Sequence, residues 1–318
     1  MTSSQILLEN QRKVTRLMLN GILTLDKPRG MTSHDVVAAV RRIIDIRAVG
    51  HTGTLDPEAS GVLVLCLGNA TKFARFFETL EKTYWTVIQL GLCTDTQDAT
   101  GTVTRQCEVP PLTRRHISNV LDRFRGSLQQ IPPMYSAVKY HGQRLYRLAR
   151  QGQTVARQSR SIFVQHLELL EQRETQLTLS ITCSKGTYIR TLGEDIGLAL
   201  GCGAHVVHLQ RCRVGPFALQ SACSLDALRQ HVHAGTLSHV LIPVTEALSF
   251  LPSLTLTSQQ YDNLRTQQGR VVSTILDTMQ PLSQNASCYR LCVQSQKTVA
   301  VIQRQLPPSE KWTLYVTP

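Results

Sequence analysis

Aromatic residues are scarce, at 5% of 318 residues. A protein that lays a long single strand across successive rings needs more stacking platforms than that. There is no C-x-x-C pair, and the nine cysteines are odd in number and scattered. That suits reduced thiols in a cytoplasmic protein better than a disulfide framework. Long apolar runs are missing as well. Val62–Leu67 is the longest near the middle of the chain, far short of the roughly 20 residues of a membrane span. Residues 1–19 interleave Glu9, Asn10, Gln11, Arg12 and Lys13 with apolar positions, which is not the order of a secretory signal.

The most informative absence is of acid. Lys plus Arg number 34 and Asp plus Glu 22, for a net charge of +12. Residues 22–122 hold eleven of each sign and are neutral, whereas 123–167 hold eight basic residues and no acid. The eight are Arg123, Arg125, Lys139, Arg144, Arg147, Arg150, Arg157 and Arg160, with Tyr135, Tyr140 and Tyr146 among them. A solvated face is the plain explanation of a charge run. A phosphate-tracking element with a few rings for bases or riboses is the sharper one.

What is present describes a folded protein: 42% apolar, 18% charged, and long enough for about two domains. Ile22–Leu25 reads as a buried strand. Thr32 is an N-cap with Asp35 closing a capping box, and Val36, Val37, Val40, Ile43 and Ile44 follow at helical spacing. Gly61–Gly68 and Lys82–Gly91 read as strands, Tyr84, Thr86, Ile88 and Leu90 sharing one face of the second. Asn69 opens a helix carrying Phe73, Phe76, Phe77 and Leu80. Ile117, Val120, Leu121 and Phe124 mark another, and Ser224 caps a further short one. Leu177–Cys183 alternates as a half-buried antiparallel strand and leads into a helix over 187–200. A compositional shift at Pro252 suggests a small β-rich module after about residue 250. Strands and helices mix without strict βαβ alternation, so the fold class is α+β.

Gly50–Gly61 (GHTGTLDPEASG) packs three glycines and a proline before a buried strand, the composition of a tight loop. It is neither a phosphate-cradling P-loop nor a dinucleotide fingerprint. Its central carboxylate is Asp56, held extended by Pro57. Taken alone, such an aspartate is more often an Asx turn or a cap. Arg190, at the head of the helix after Cys183–Tyr188, is placed to pair with Asp56 and keep it ionised. Cys202, His205, His208 and Cys212 offer four possible metal ligands, and the two histidines would share a face of a helix. Their spacing fits no standard zinc site, so no metal is expected.

These segments resemble the TruB family, bacterial tRNA pseudouridine synthases that modify the T-loop uridine at tRNA position 55. The likeness rests on the loop Gly50–Gly61, Lys82 and Tyr84, Ile131–Lys139 (IPPMYSAVK) and Lys185–Arg190 (KGTYIR). Leu25–Ser33 and Gly201–His205 add to it, and it spans about Gly21–Phe217. It implies a pseudouridine synthase domain over 21–250 around a mixed, mainly antiparallel sheet, with a thumb-like insertion at about 130–160. Residues 1–20 are an extension, and 251–318 resemble a PUA-like RNA-binding domain in size and β-content only.

The resemblance assigns Asp56 as the catalytic nucleophile, aided by Tyr84 and Arg190. It assigns His51, Tyr188 and Leu209 to the extruded base, and Lys27 and Pro28 to support of the active-site loop. Lys139, Arg144, Arg147 and Arg150 are expected on phosphates. No cofactor is expected, since isomerisation needs neither a redox step nor a group donor. The expected partner is the tRNA T-arm, with no membrane, no obligate protein partner and a monomeric state. Other readings are an RNA-binding or RNA-folding protein without catalysis, which has no use for Asp56, and a guide-RNA-dependent pseudouridine synthase. Glycoside hydrolysis needs a second acid nearby, and Glu58 is not expected to face the same site.

Overall fold

The computed structural model describes residues 19–266, 287–293, 298–304 and 312–317. Strands in chain order are β1 (Gly21–Lys27), β2 (Val49–His51), β3 (Ser60–Leu67), β4 (Lys82–Leu90), β5 (Leu92–Thr94), β6 (Val103–Gln106) and β7 (Gly126–Gln130). They continue with β8 (Lys139–Tyr140), β9 (Gln143–Arg144), β10 (Arg160–Arg173), β11 (Gln176–Cys183), β12 (Ala204–Val214), β13 (Phe217–Ala218) and β14 (Leu241–Ile242). One ten-stranded sheet has the path β14-β1-β3-β12-β4-β11-β10-β7, with β2 and β13 paired beside it. Every pairing in it is antiparallel except β3 with β12. The architecture is α+β around a mixed, mainly antiparallel sheet.

Layering explains the sequence patterns. β1 and β3 are buried on both faces, and so read as unbroken apolar runs. Leu23, Leu25, Leu63 and Leu65 meet the helices Ser33–Ile44 and Leu225–His233, while Ile22, Val62 and Val64 meet Phe73, Phe76 and Phe77 on the other side. On β4 and β11 strict alternation sends one face into a core shared with the helices Arg114–Asp122 and Ile189–Ala199. Thr32 and Asp35 close the expected capping box, and Ser224 caps its helix.

Three expectations need revision. Residues 68–78 begin as a 3₁₀ turn (Gly68–Phe73) before one α-helical turn, Ala74–Glu78, instead of one helix from Asn69. The helix carrying Ile117, Val120 and Leu121 ends at Asp122, so Phe124 lies beyond it, packed against the same core. The stretch with His205 and His208 is a strand, β12, so their spacing does not put them on one helix face.

Beyond residue 250, β15 (Ser253–Thr255), β16 (Cys288–Cys292), β17 (Thr298–Arg304) and β18 (Trp312–Val316) form a separate four-stranded sheet. Its own core is Leu256, Tyr289, Leu291, Ala300 and Ile302. This sheet meets the helical stretch 68–78 through Tyr315, whose ring meets Phe73 and Phe76 and lies under the Arg75 guanidinium. The thumb-like stretch holds the hairpin β8–β9 and the helix Leu145–Arg150. Residues 1–18 lie outside the described residues.

Candidate active site

The loop before β3 is fixed by three buried polar side chains. Lys27, at 0% exposure, donates from Nζ to the carbonyls of Pro28 (2.8 Å), Met31 (2.6 Å) and Pro57 (3.0 Å). Ser33 Oγ accepts from the Leu55 amide at 2.9 Å and donates to the Leu55 carbonyl at 3.2 Å. Arg211 reaches up from β12, Nε donating to the Val62 carbonyl at 2.7 Å and Nη2 to that of Gly53 at 3.0 Å. Asp56 sits between these anchors.

Arg190 holds Asp56 in a bidentate pair: Nε donates to Oδ2 at 2.8 Å and Nη2 to Oδ1 at 3.0 Å. The guanidinium donates to two carbonyls as well, Thr96 (from Nη1) and Tyr135 (from Nη2), both at 2.8 Å. Its side chain is 5% exposed and that of Asp56 37%. A fork bound at four acceptors cannot swing, so the carboxylate is oriented as well as neutralised. The partly open carboxylate faces a cleft of about 230 Å³ lined also by Arg29, Glu58, Asp98, Thr100, His208 and Leu209.

Of the expected site residues, Asp56, Arg190 and Leu209 meet in this cleft. Tyr84 packs beside it, in the core with Leu55, Ala59 and Leu209 and opposite Arg211 on the neighbouring strand. Burial pushes the Tyr84 hydroxyl pKa up, partly opposed by the Arg211 charge. Tyr188 precedes the helix Ile189–Ala199, and burial raises its pKa too. Neither ring lines the cleft as it stands. Lys27 lies beneath the loop, and burial lowers its pKa to about 8. Pro28 is exposed and offers its carbonyl to Lys27.

His51, on β2, meets His34 edge to face at 5.4 Å, and burial with the nearby His34 and Arg211 charges lowers its pKa to about 4. Lys139, Arg144 and Arg147 are exposed on the hairpin β8–β9 and the helix after it, with Arg150 over the Tyr146 ring at 5.6 Å. They lie outside the cleft lining. The thumb root nevertheless reaches the site, because Tyr135 supplies a carbonyl to Arg190.

Glu58 corrects one expectation: it does line the cleft. It is paired with Arg29 at 3.3 Å on the exposed rim. Asp98 is a third carboxylate there, its Oδ2 3.8 Å from Arg190 Nε and its Oδ1 taken up by Thr96 and Thr100. Sequence reasoning missed Asp98, Ser33 and Arg211. Asp98 falls in a Thr/Asp/Gly-rich stretch whose composition signals only a turn. Arg211, 2% exposed, lies in a strand that alternation does not reveal.

His205 Nδ1 lies 3.0 Å from the Leu92 carbonyl, while His208 meets Trp85 edge to face. Among the described residues no group of three or more His, Cys, Asp or Glu side chains could hold a metal ion, and no helix is long and apolar enough to cross a membrane.

Two family models cover most of this architecture. Residues 41–189 match the "TruB family pseudouridylate synthase (N terminal domain)", and residues 190–249 match the "tRNA pseudouridylate synthase B C-terminal domain". A protein of Pseudomonas aeruginosa named tRNA pseudouridine synthase B is 46% identical over 250 residues, 78% of this chain and 82% of that protein. Its namesake in Bacillus pumilus is 45% identical over 241 residues, 74% of this chain and 78% of that protein. Among solved structures, a Cbf5-Nop10-Gar1 complex has a chain with a TM-score of 0.69 at 24% identity, covering 96% of this chain and 86% of that one. A likeness at that identity is one of fold.

Proposed function

The chain belongs to the TruB family of pseudouridylate synthases, and from that premise we propose that it isomerises uridine to pseudouridine at position 55 in the T-loop of tRNA. The enzyme class, a pseudouridine synthase, follows from the family. The tRNA substrate is carried by the name of its relatives, tRNA pseudouridine synthase B. The observation that carries the reading within the chain is Asp56, clamped by Arg190 at 2.8 and 3.0 Å in the lining of an open cleft.

The reaction breaks N1–C1′ of uridine, turns the base, and joins C5 to C1′. The proton on C5 leaves and N1 gains one, so substrate and product have the same atoms. Arg190 aims Asp56 through its two hydrogen bonds, and the carboxylate acts as nucleophile on the sugar or the base. Tyr84, kept protonated by burial, lies next to the loop, where movement of a base into the site would set its ring against the uracil. Leu209 supplies an apolar wall, and the same movement would bring Tyr188 against the base. Lys27 and Pro28 hold the loop, and His51 supports the extruded nucleotide.

Extruding a base from a folded loop costs on the order of a few kcal/mol. Phosphate contacts from Lys139, Arg144 and Arg147 on the thumb offset that cost, with the sheet beyond residue 250 as a second grip. The enzyme works as a cytoplasmic monomer on this reading.

The test is tritium release from C5-labelled uridine in a T-arm hairpin. Asp56→Asn is expected to bind the hairpin with unchanged affinity and release no tritium. Substantial turnover by this variant would remove Asp56 from the chemistry.

A further inference from the structure

Gln97 has left-handed backbone, with φ of +62°. A non-glycine residue rarely adopts that region, and strain of this kind persists only where the surroundings enforce it. The enforcement is visible. The Gln97 side chain spans to the helix Ile189–Ala199, where its Oε1 accepts from Thr191 Oγ at 2.8 Å and its Nε2 donates to Glu194. Its backbone carbonyl accepts from the Val206 amide of β12 at 3.0 Å, and the Val206 carbonyl accepts from the Ala99 amide at 2.9 Å. One residue therefore ties the turn 94–101 to both the helix that begins beside Arg190 and the strand that floors the cleft.

The residues on either side of Gln97 are the ones that meet Arg190. Thr96 gives its carbonyl to Nη1 at 2.8 Å, and Asp98 stands 3.8 Å from Nε. Both depend on the turn keeping its path. Apart from the bonds of Arg190 itself, the turn has no other side-chain bridge to that helix among the described hydrogen bonds. Burial of Glu194 costs free energy that a surface carboxylate avoids, and its pKa is pushed up accordingly. Solubility gives no reason to place it there, whereas seating an amide does.

We propose that Gln97, seated by Glu194 and Thr191, is a positioning residue that sets the Arg190 guanidinium and through it the Asp56 carboxylate. It touches neither reacting atom. The inference rests on the Asp56 reading above, and its test separates the two.

Gln97→Gly is the informative variant, since glycine accepts the positive φ while the bridge is removed. It is expected to fold with an unchanged or slightly higher Tm, to keep its KM for a T-arm hairpin, and to lose about tenfold in kcat, the scale of a sub-ångström misplacement. Glu194→Gln, which still accepts from the amide, should keep most of the kcat that Glu194→Ala loses. Arg190→Lys abolishes the fork that Gln97 sets, so adding Gln97→Gly to it should cost nothing further. Full kcat in Gln97→Gly, or additive losses in the double variant, would overturn the positioning role while leaving Asp56 untouched. Tritium release by Asp56→Asn would instead sink the catalytic reading itself.

Discussion

Lys27 meets three carbonyl oxygens with the three protons of its ammonium group, and its pKa is lowered to about 8 by burial. The neutral amine has two protons, so one of the three bonds that tie Pro28, Met31 and the Pro57 loop together disappears as pH rises through about 8. kcat should fall along that alkaline limb. Stability from this group moves the other way: above about 8 the folded chain binds fewer protons here than the unfolded chain, so unfolding becomes harder. A pH–rate profile and thermal melts over the same range read both, and a flat kcat from neutral pH to well above the Lys27 pKa would refute the clasp. Lys27→Met should already be slow at neutral pH and lack the limb. At this scale much of the site was legible. The Asp56 loop and the pairing of Arg190 with Asp56 came from residue types and motif, because charge complementarity and a glycine-rich loop leave a local signature. Asp98, Ser33 and Arg211 did not, because the residues around each carry only turn, cap or strand signals and nothing beside them marks a partner.

Alternation exposed β4 and β11 because their pleat runs without interruption, whereas it hid β10 and β12. In β10 the buried positions are Ile162, Val164, Leu167 and Leu169. The phase slips at the register shift between Val164 and His166, since a bulge adds one residue and turns every later side chain over. β12 has two such shifts, Val206/His208 and Arg211/Arg213, so its histidines mimic helical spacing. Those bulges lie beside the cleft and help aim Leu209 and Arg211, the common use of the device. The parallel contact of β3 with β12 sets a further constraint. Gly61, at φ +101°, lies so close to β12 that a Cβ would stand 2.3 Å from the Arg211 carbonyl. Gly61→Ala must push the strands apart or move Arg211, which holds the loop through Gly53 and Val62. A loss of about 1–3 kcal/mol in urea unfolding is expected, on the scale of overpacking plus backbone strain. It should come with reduced kcat, and a neutral outcome in unfolding would show that this strand pair has slack.

Across the whole molecule the net charge of +12 divides by task. The neutral stretch 22–122 carries the loop and its carboxylate, where a large local excess of either sign would disturb one working ion pair. The acid-free stretch 123–167 forms the outer strand β7, the thumb hairpin and its helix, then the start of β10. Its position at one end of the sheet follows from topology that no local pattern encodes, whereas its charge was plain in the sequence. Within it, Arg144 donates to the Ala137 carbonyl across the hairpin and so has a structural duty. Lys139 and Arg147 are exposed and cleaner probes. Replacing both with Gln should leave the melting temperature unchanged and weaken T-arm binding. The slope of log affinity against log salt should drop by about 0.7–0.9 for each phosphate no longer neutralised. kcat at saturating RNA should be retained, because the Tyr135 carbonyl that links the thumb root to Arg190 is untouched. An unchanged salt slope would mean that Lys139 and Arg147 belong to a solvated face and that the grip lies elsewhere. A fall in kcat with no change in slope would mean that the thumb acts on Arg190 through its root instead of on the phosphates.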